Sequence, residues 1–163
     1  MSMPGKAPSA FQYLVLRPAT AEDLPQIQAL ERRAPSAAHW APQEYEGLFS
    51  PQSRRTVFVV TDNGRQVRGF IVANRIDTEW EIENVVVGEE SRGKGVGRLL
   101  VQSLVDLSKQ SGAEQIHLEV RSTNYIARRL YENCGFAISG KRPGYYRDPV
   151  DDAITYSIKG LKP

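Results

Sequence analysis

Cysteine is nearly absent: Cys134 is the single one in 163 residues. A lone cysteine excludes an internal disulfide and a cysteine-rich metal cluster, and it makes a reducing compartment the expected one. Histidine is almost as scarce. Neither His39 nor His117 has a second ligand at a spacing such as His-Glu-x-x-His, so no metal is expected. Charge of one sign is also lacking. Lys and Arg number 21 against 19 Asp and Glu, a net +2 that is too small for direct binding of a nucleic acid as a bulk polyanion. No apolar run approaches the length of a membrane span, and the opening MSMPGKAPSA has no signal-peptide core. A cytoplasmic protein without membrane contact is expected.

The rest of the composition, 40% hydrophobic and 25% charged, is that of a globular chain. Its length suits one domain with a full core. Residues 1–10, rich in Pro, Ser, Gly and Ala, are expected to fray, leaving a single domain over 11–163. Tyr13 to Arg17 reads as a strand. Thr20 is a good N-cap for a helix from Ala21 to about Arg33, with Leu24, Ile27 and Leu30 on its apolar face. A loop around Pro35 leads to a short helix from about Pro42 to Phe49. Thr56 to Thr61 and Arg68 to Ile76 form a hairpin about Asp62-Asn63-Gly64, and Glu79 to Val87 is a long central strand.

The glycine-spaced stretch after that strand opens a helix from about Gly95 to Gln110, with Leu99, Leu100, Leu104 and Leu107 expected inside and Ser111-Gly112 ending it. Ile116 to Val120 is a strand, Asn124 to Asn133 a helix, and Gly135-Phe136 the start of another strand. Tyr145 to Asp151 reads as loop, and Ala153 to Lys159 as a last strand. The order β-α-α-β-β-β-α-β-α-β-β predicts an α/β layer structure.

Chemistry concentrates in Glu81 to Leu100, EIENVVVGEESRGKGVGRLL. A strand entering a helix through a glycine-rich turn leaves backbone N–H groups without intrahelical partners, which makes an anion site suited to phosphate. It is not a P-loop, because Lys94 precedes Gly95 and no Ser or Thr follows where that motif needs one. Nor is it a dinucleotide fingerprint, since Arg98 stands where the third glycine belongs. Arg92-Gly93-Lys94-Gly95-Val96-Gly97 instead resembles the Arg/Gln-x-x-Gly-x-Gly/Ala signature of the GCN5-related N-acetyltransferases (GNAT). LEVRSTNYIARRLYENCGF, Leu118 to Phe136, resembles a second motif of that family almost throughout, departing at Thr123 where serine is usual. With Arg142, Tyr145, Tyr146 and Asp152-Ala153 downstream, the chain resembles the RimI branch, the ribosomal-protein-alanine N-acetyltransferases. The resemblance is strong over the last half of the chain; the first half matches only in element order.

The resemblance implies a fold, a co-substrate and roles. The fold is the GNAT domain, α/β (α+β in some schemes), a mixed and mostly antiparallel sheet of about seven strands with helices on both faces. The donor is acetyl-CoA, transferred directly to an amine with no covalent enzyme intermediate. The pyrophosphate would sit on Arg92, Gly93, Lys94, Gly95, Val96, Gly97 and Arg98, mainly on their backbone N–H groups, so the glycines matter more than Lys94. The backbone of Val85, Val86 and Val87 would pair with the pantetheine arm like an added strand, one N–H holding the thioester oxygen. Asn124 would cap its helix and also touch that arm.

Transfer needs a neutral amine, a route for its proton and a proton for the departing thiolate. Glu119 is the expected base. Glu81, placed like the base of related histone-acetylating enzymes, is the rival, and Glu83, on the same face, could act through water. Tyr131 is the expected general acid. Cys134 has no histidine to activate it and is not expected to be a nucleophile. His39, Trp40, Tyr145 and Tyr146 are candidate walls of the acceptor site, with core aromatics as the competing reading for Trp40 and one tyrosine. The expected acceptor is a protein or peptide N-terminus, such as that of a ribosomal protein, bound by a monomer or weak dimer. An α-amine, with a pKa of about 7.7–8.0 against about 10.4 for lysine, needs only a modest base. A small amine or a lysine side chain is the second reading, and a non-catalytic acyl-CoA sensor the third.

Overall fold

The computed structural model describes residues 13–35, 37–63 and 65–161; the expected fraying of residues 1–10 falls outside them. Seven strands form one sheet in the order β1-β2-β3-β4-β5-β7-β6. They are β1 Leu14–Pro18, β2 Arg55–Asp62, β3 Gln66–Ile76, β4 Glu79–Val87, β5 Gln115–Arg121, β6 Ala137–Arg147 and β7 Val150–Lys159. Only β4 and β5 run parallel; every other neighbouring pair is antiparallel. Four helices cover the faces: α1 Leu24–Arg33, α2 Pro42–Glu46, α3 Val96–Gln110 and α4 Tyr125–Asn133. Mixed sheet, strand count and layering follow the expectation.

Each face has its own core. On one face Val60, Ile71, Trp80, Ile82, Ile116 and Leu118 meet α3 and the buried side of α4; on the other Val57, Val59, Phe70, Val72 and Val86 meet Ile27, Tyr45 and Leu48. α3 docks through Val96, Leu100, Val101, Leu104 and Val105, each contributing roughly 1.5–3 kcal/mol of burial, an upper bound against a compact unfolded chain. Close approach depends on Gly69 of β3. A Cβ there would stand 2.8 Å from Val96 Cγ1 and 3.0 Å from the Val86 carbonyl.

Several expected boundaries are corrected. Leu99 is exposed and Leu107 only half-buried, because the apolar stripe of α3 is carried by its valines as well as by Leu100 and Leu104. The first helix opens as a 3-10 turn, Ala21–Asp23, where the Asp23 carboxylate accepts from the Thr20 N–H at 2.8 Å. Pro42–Glu46 is shorter than expected and ends at Gly47, giving way to turns. Gly135 has a φ of 94° and closes α4, so β6 begins at Ala137 rather than at Gly135-Phe136.

The largest correction concerns Tyr145 to Asp151, which is not a loop. β6 continues to Arg147 and β7 begins at Val150, with Tyr146 opposite Asp151. Register shifts between Ile138 and Gly140 and between Arg142 and Tyr146 interrupt the two-residue alternation, and β6 is exposed almost throughout. Both features hide a strand from a reading by apolar period. Among the described residues no helix is long and apolar enough to cross a membrane.

Candidate active site

The two parallel strands are together only at their start. Glu79 pairs with Gln115, Trp80 with Ile116 and Glu81 with His117, after which β4 and β5 part. From Ile82 onward the β5-facing edge of β4 has no strand beside it. Gly88 donates to the Arg68 carbonyl at 2.9 Å, so the antiparallel alternation turns the backbone groups of Val86 toward β3 and those of Val85 and Val87 toward the opening. β4 also carries one extra residue. Ala73 faces Ile82 and Val72 faces Asn84, which leaves Glu83 as a bulge.

At the end of this free edge comes the glycine turn. Gly93 and Gly95 have φ values of 73° and 81°, and a Cβ built on either would meet nothing within 4 Å. The glycines are therefore needed for backbone conformation, and the space over them is open. Gly95 is the N-cap of α3, so the amides of the first helical turn lack carbonyl partners within the helix and face outward. Arg92, Lys94 and Arg98 are exposed around them. Gly97 has another reason to be glycine: its Cβ would approach Leu130 to 3.1 Å. A free strand edge leading to open amides fits an extended donor with a diphosphate end.

Across the opening, Ile116, Leu118 and Val120 of β5 point into the α3/α4 core, which leaves His117 and Glu119 on the α1/α2 face. Glu81, opposite His117, shares that face. Glu119 is ion-paired with Arg142 Nε of β6 at 3.1 Å. Glu83 is held more firmly, by Arg55 Nε at 2.7 Å and a second nitrogen at 3.2 Å. The same guanidinium lies 4.9 Å from the centre of the Trp40 ring. Trp40 in turn packs on buried Tyr45 at 5.6 Å, and its backbone N–H donates to the buried Glu31 carboxylate. Burial pushes Glu31 up, opposed by that N–H. The sequence reading missed Arg55, whose signal was only a basic residue at a strand start, and Glu31, which looked like one more polar helix residue.

Tyr131 is buried in α4, 6.0 Å from the Phe136 ring and 6.2 Å from Tyr156. Its hydroxyl makes no hydrogen bond among the described residues. Burial, then the nearby Tyr146 and Cys134, push it well above the ordinary phenol value, so it keeps its proton. Tyr146 is pushed up by burial and then by the charge of Glu119. Tyr146 therefore lies within electrostatic reach of both Glu119 and Tyr131. Tyr145 packs edge-on against Tyr146 at 5.1 Å and is half exposed. Arg121 lies 4.3 Å from the centre of the Tyr146 ring and donates to the Pro149 and Asp148 carbonyls.

Asn124 caps α4 by accepting from the Ala127 N–H at 3.2 Å. Cys134 is buried, and that burial pushes its thiol up, which opposes thiolate chemistry. His39, exposed at a φ of 52°, stands apart from this cluster, joined to it through Trp40.

An edge of this kind suits an extended molecule, and the helix start beside it favours phosphate, so the site fits a long phosphorylated carrier. The sequence profile of the Acetyltransferase (GNAT) family matches residues 22–136. The [ribosomal protein bS18]-alanine N-acetyltransferase of Escherichia coli K12 is 32% identical over 139 residues, covering 83% of this chain and 90% of that one. The crystal structure of the Escherichia coli ribosomal-protein-S18-alanine N-acetyltransferase superposes with a TM-score of 0.81 at 26% identity, covering 93% of this chain and 96% of that one. Arabidopsis thaliana NAA60 in complex with a bisubstrate analogue has the same fold, with a TM-score of 0.80 at 18% identity, covering 90% and 98%. This chain belongs to the GNAT family and is an N-acetyltransferase of the RimI-like kind.

Proposed function

We propose that this enzyme transfers acetyl from acetyl-CoA to the N-terminal α-amine of a protein, with Glu119 as base and Tyr131 as acid. The observation that supports the reading is that Glu119 stands on the α1/α2 face of β5 and Tyr131, which keeps its proton, in the α3/α4 core, with Tyr146 within electrostatic reach of each. The relatedness to alanine N-acetyltransferases supports the choice of acceptor.

The donor lies along β4, with its amides on the free groups of Val85 and Val87 and its diphosphate over Gly93 to Arg98. It supplies an activated acyl carbon. The remaining steps belong to the chain. Glu119 takes the proton of the α-ammonium, so that the nitrogen lone pair attacks the thioester carbonyl. A backbone N–H of the strand edge holds the developing oxyanion. The carbon–sulfur bond then breaks, the sulfur takes its proton from Tyr131, and the nitrogen gives up its remaining excess proton, which restores the Tyr131 phenol through water, while Glu119 releases its proton to solvent. Glu81 sits on the same face but farther back, at the point where the strands are still paired. Glu83, held by Arg55, serves the wall that Trp40 completes.

A thiol-release assay tests the acceptor. The panel is a peptide with free N-terminal alanine, the same peptide blocked at its N-terminus but carrying lysine, and a polyamine. Turnover on the free-alanine peptide alone is expected; turnover confined to lysine or polyamine overturns the acceptor assignment and leaves the donor site intact.

A further inference from the structure

Two arginines flank Glu119, and they are held differently. Arg121 is tied to two backbone carbonyls at the β6/β7 turn and stacked on Tyr146. Arg142 reaches Glu119 through one nitrogen at 3.1 Å, with its side chain 60% exposed and its guanidinium 5.4 Å from the centre of the exposed Tyr145 ring. A single-point pair in contact with water has little net strength, because solvent screens the attraction and the long side chain loses rotamer freedom. Yet it occupies the carboxylate to which the acceptor's cationic amine must bind.

We propose that Arg142 is a displaceable place-holder on Glu119, released when the acceptor's α-ammonium takes over the carboxylate. The idea rests on the assignment of Glu119 as base. An ammonium replaces a guanidinium charge for charge, so the exchange costs little. Water carries no charge and cannot drive the exchange. With Arg142 in place, Glu119 does not activate water, and acetyl-CoA bound without an acceptor is protected. Without Arg142, water can lose a proton to Glu119 while its oxygen bonds to the acetyl carbon. The carbon–sulfur bond breaks, and acetate and coenzyme A thiol are the products. Arg142 is in this sense a specificity residue that selects a cationic nucleophile over water.

The test uses the full chain and its Arg142→Gln and Arg142→Lys variants, with thermal melts to establish folding. Thiol release from acetyl-CoA is followed with and without the free-alanine peptide. Arg142→Gln is expected to raise acceptor-independent release at least fivefold and to lower KM for the peptide about three- to tenfold, with a smaller change in kcat. Arg142→Lys, which keeps the charge, should stay near the wild-type value in both. Unchanged hydrolysis with a raised peptide KM overturns the proposal, since Arg142 would then be an acceptor contact.

Repeating the measurements in a Glu119→Gln background separates the two assignments. The Arg142→Gln effects on hydrolysis and KM should vanish there, and effects that persist overturn the place-holder. If Glu119→Gln alone keeps kcat within threefold, the base assignment has failed, whatever Arg142 does.

Discussion

The two faces of the sheet do different work by different means. On the α3/α4 face, the Tyr131 hydroxyl apart, the site is made of backbone: the edge of Val85 and Val87, the turned glycines, and the open amides of a helix start. On the α1/α2 face it is made of side chains: Glu81, Glu83 and Glu119 with Arg55, Arg142 and Trp40 around them. The backbone site needs conformation and emptiness, which glycine supplies. The side-chain site needs charges brought together from distant parts of the chain. A carrier with one fixed chemistry suits the first, and an acceptor that differs among relatives suits the second.

Substitutions on the two faces should therefore fail in different ways. Glu119→Gln removes the proposed base and should lower kcat about a hundredfold or more, with the melting temperature nearly unchanged; full activity would move the proton route to Glu81. Tyr131→Phe should cost kcat about a hundredfold at constant KM for acetyl-CoA. Because burial raises the hydroxyl pKa, the acid stays protonated as pH rises, and a pH–rate profile should show no alkaline fall traceable to this residue up to about pH 9. Gly95→Val forces a β-branched residue into left-handed backbone at about 1–2 kcal/mol. KM for acetyl-CoA should then rise about tenfold, while Lys94→Ala changes it less; the reverse order would mean that side-chain charge and not backbone holds the phosphates.

Smaller effects sharpen the contrast through stability. Arg55→Met breaks the two-point pair with Glu83, worth about 1–2 kcal/mol for a partly exposed charge. Melting should fall by a few degrees and the peptide KM should rise, with KM for acetyl-CoA unmoved. Away from both sites, the hydrogen bond to Arg17 holds Asp23 below its ordinary value. A depressed carboxylate stabilises the fold above its unfolded pKa and loses that contribution as pH falls through the folded one. The melting gap between wild type and Asp23→Asn should thus be full at pH 6 and close below about pH 4.

The sequence revealed the backbone site more readily than the side-chain site, and the reason is physical. Glycines at fixed spacing in one short stretch announce a turned backbone, and β4 runs from Glu79 to Val87 as its β-branched residues predict. Asn124 was legible as a cap for the same local reason. The pairing of Arg142 with Glu119, by contrast, joins β6 to β5 across β7, and no local pattern encodes it. The β6 strand was concealed because its exposed side chains and shifted register erase the apolar alternation. Leu99 misled because leucines stand out in a helix whose inward stripe is shared with valine.

Glu83 also gives β4 one residue to spare. Before it, Trp80 and Ile82 enter the α3/α4 core; after it, Val86 enters the opposite core while Val85 and Val87 pack against the first. A regular strand keeps even and odd positions on opposite faces, so the supernumerary residue shifts the numbering by one midway while the alternation in space continues. Deleting Glu83 would restore a regular strand and leave Asn84 and Val86 on the side they face now, because the bulge already takes up the extra residue.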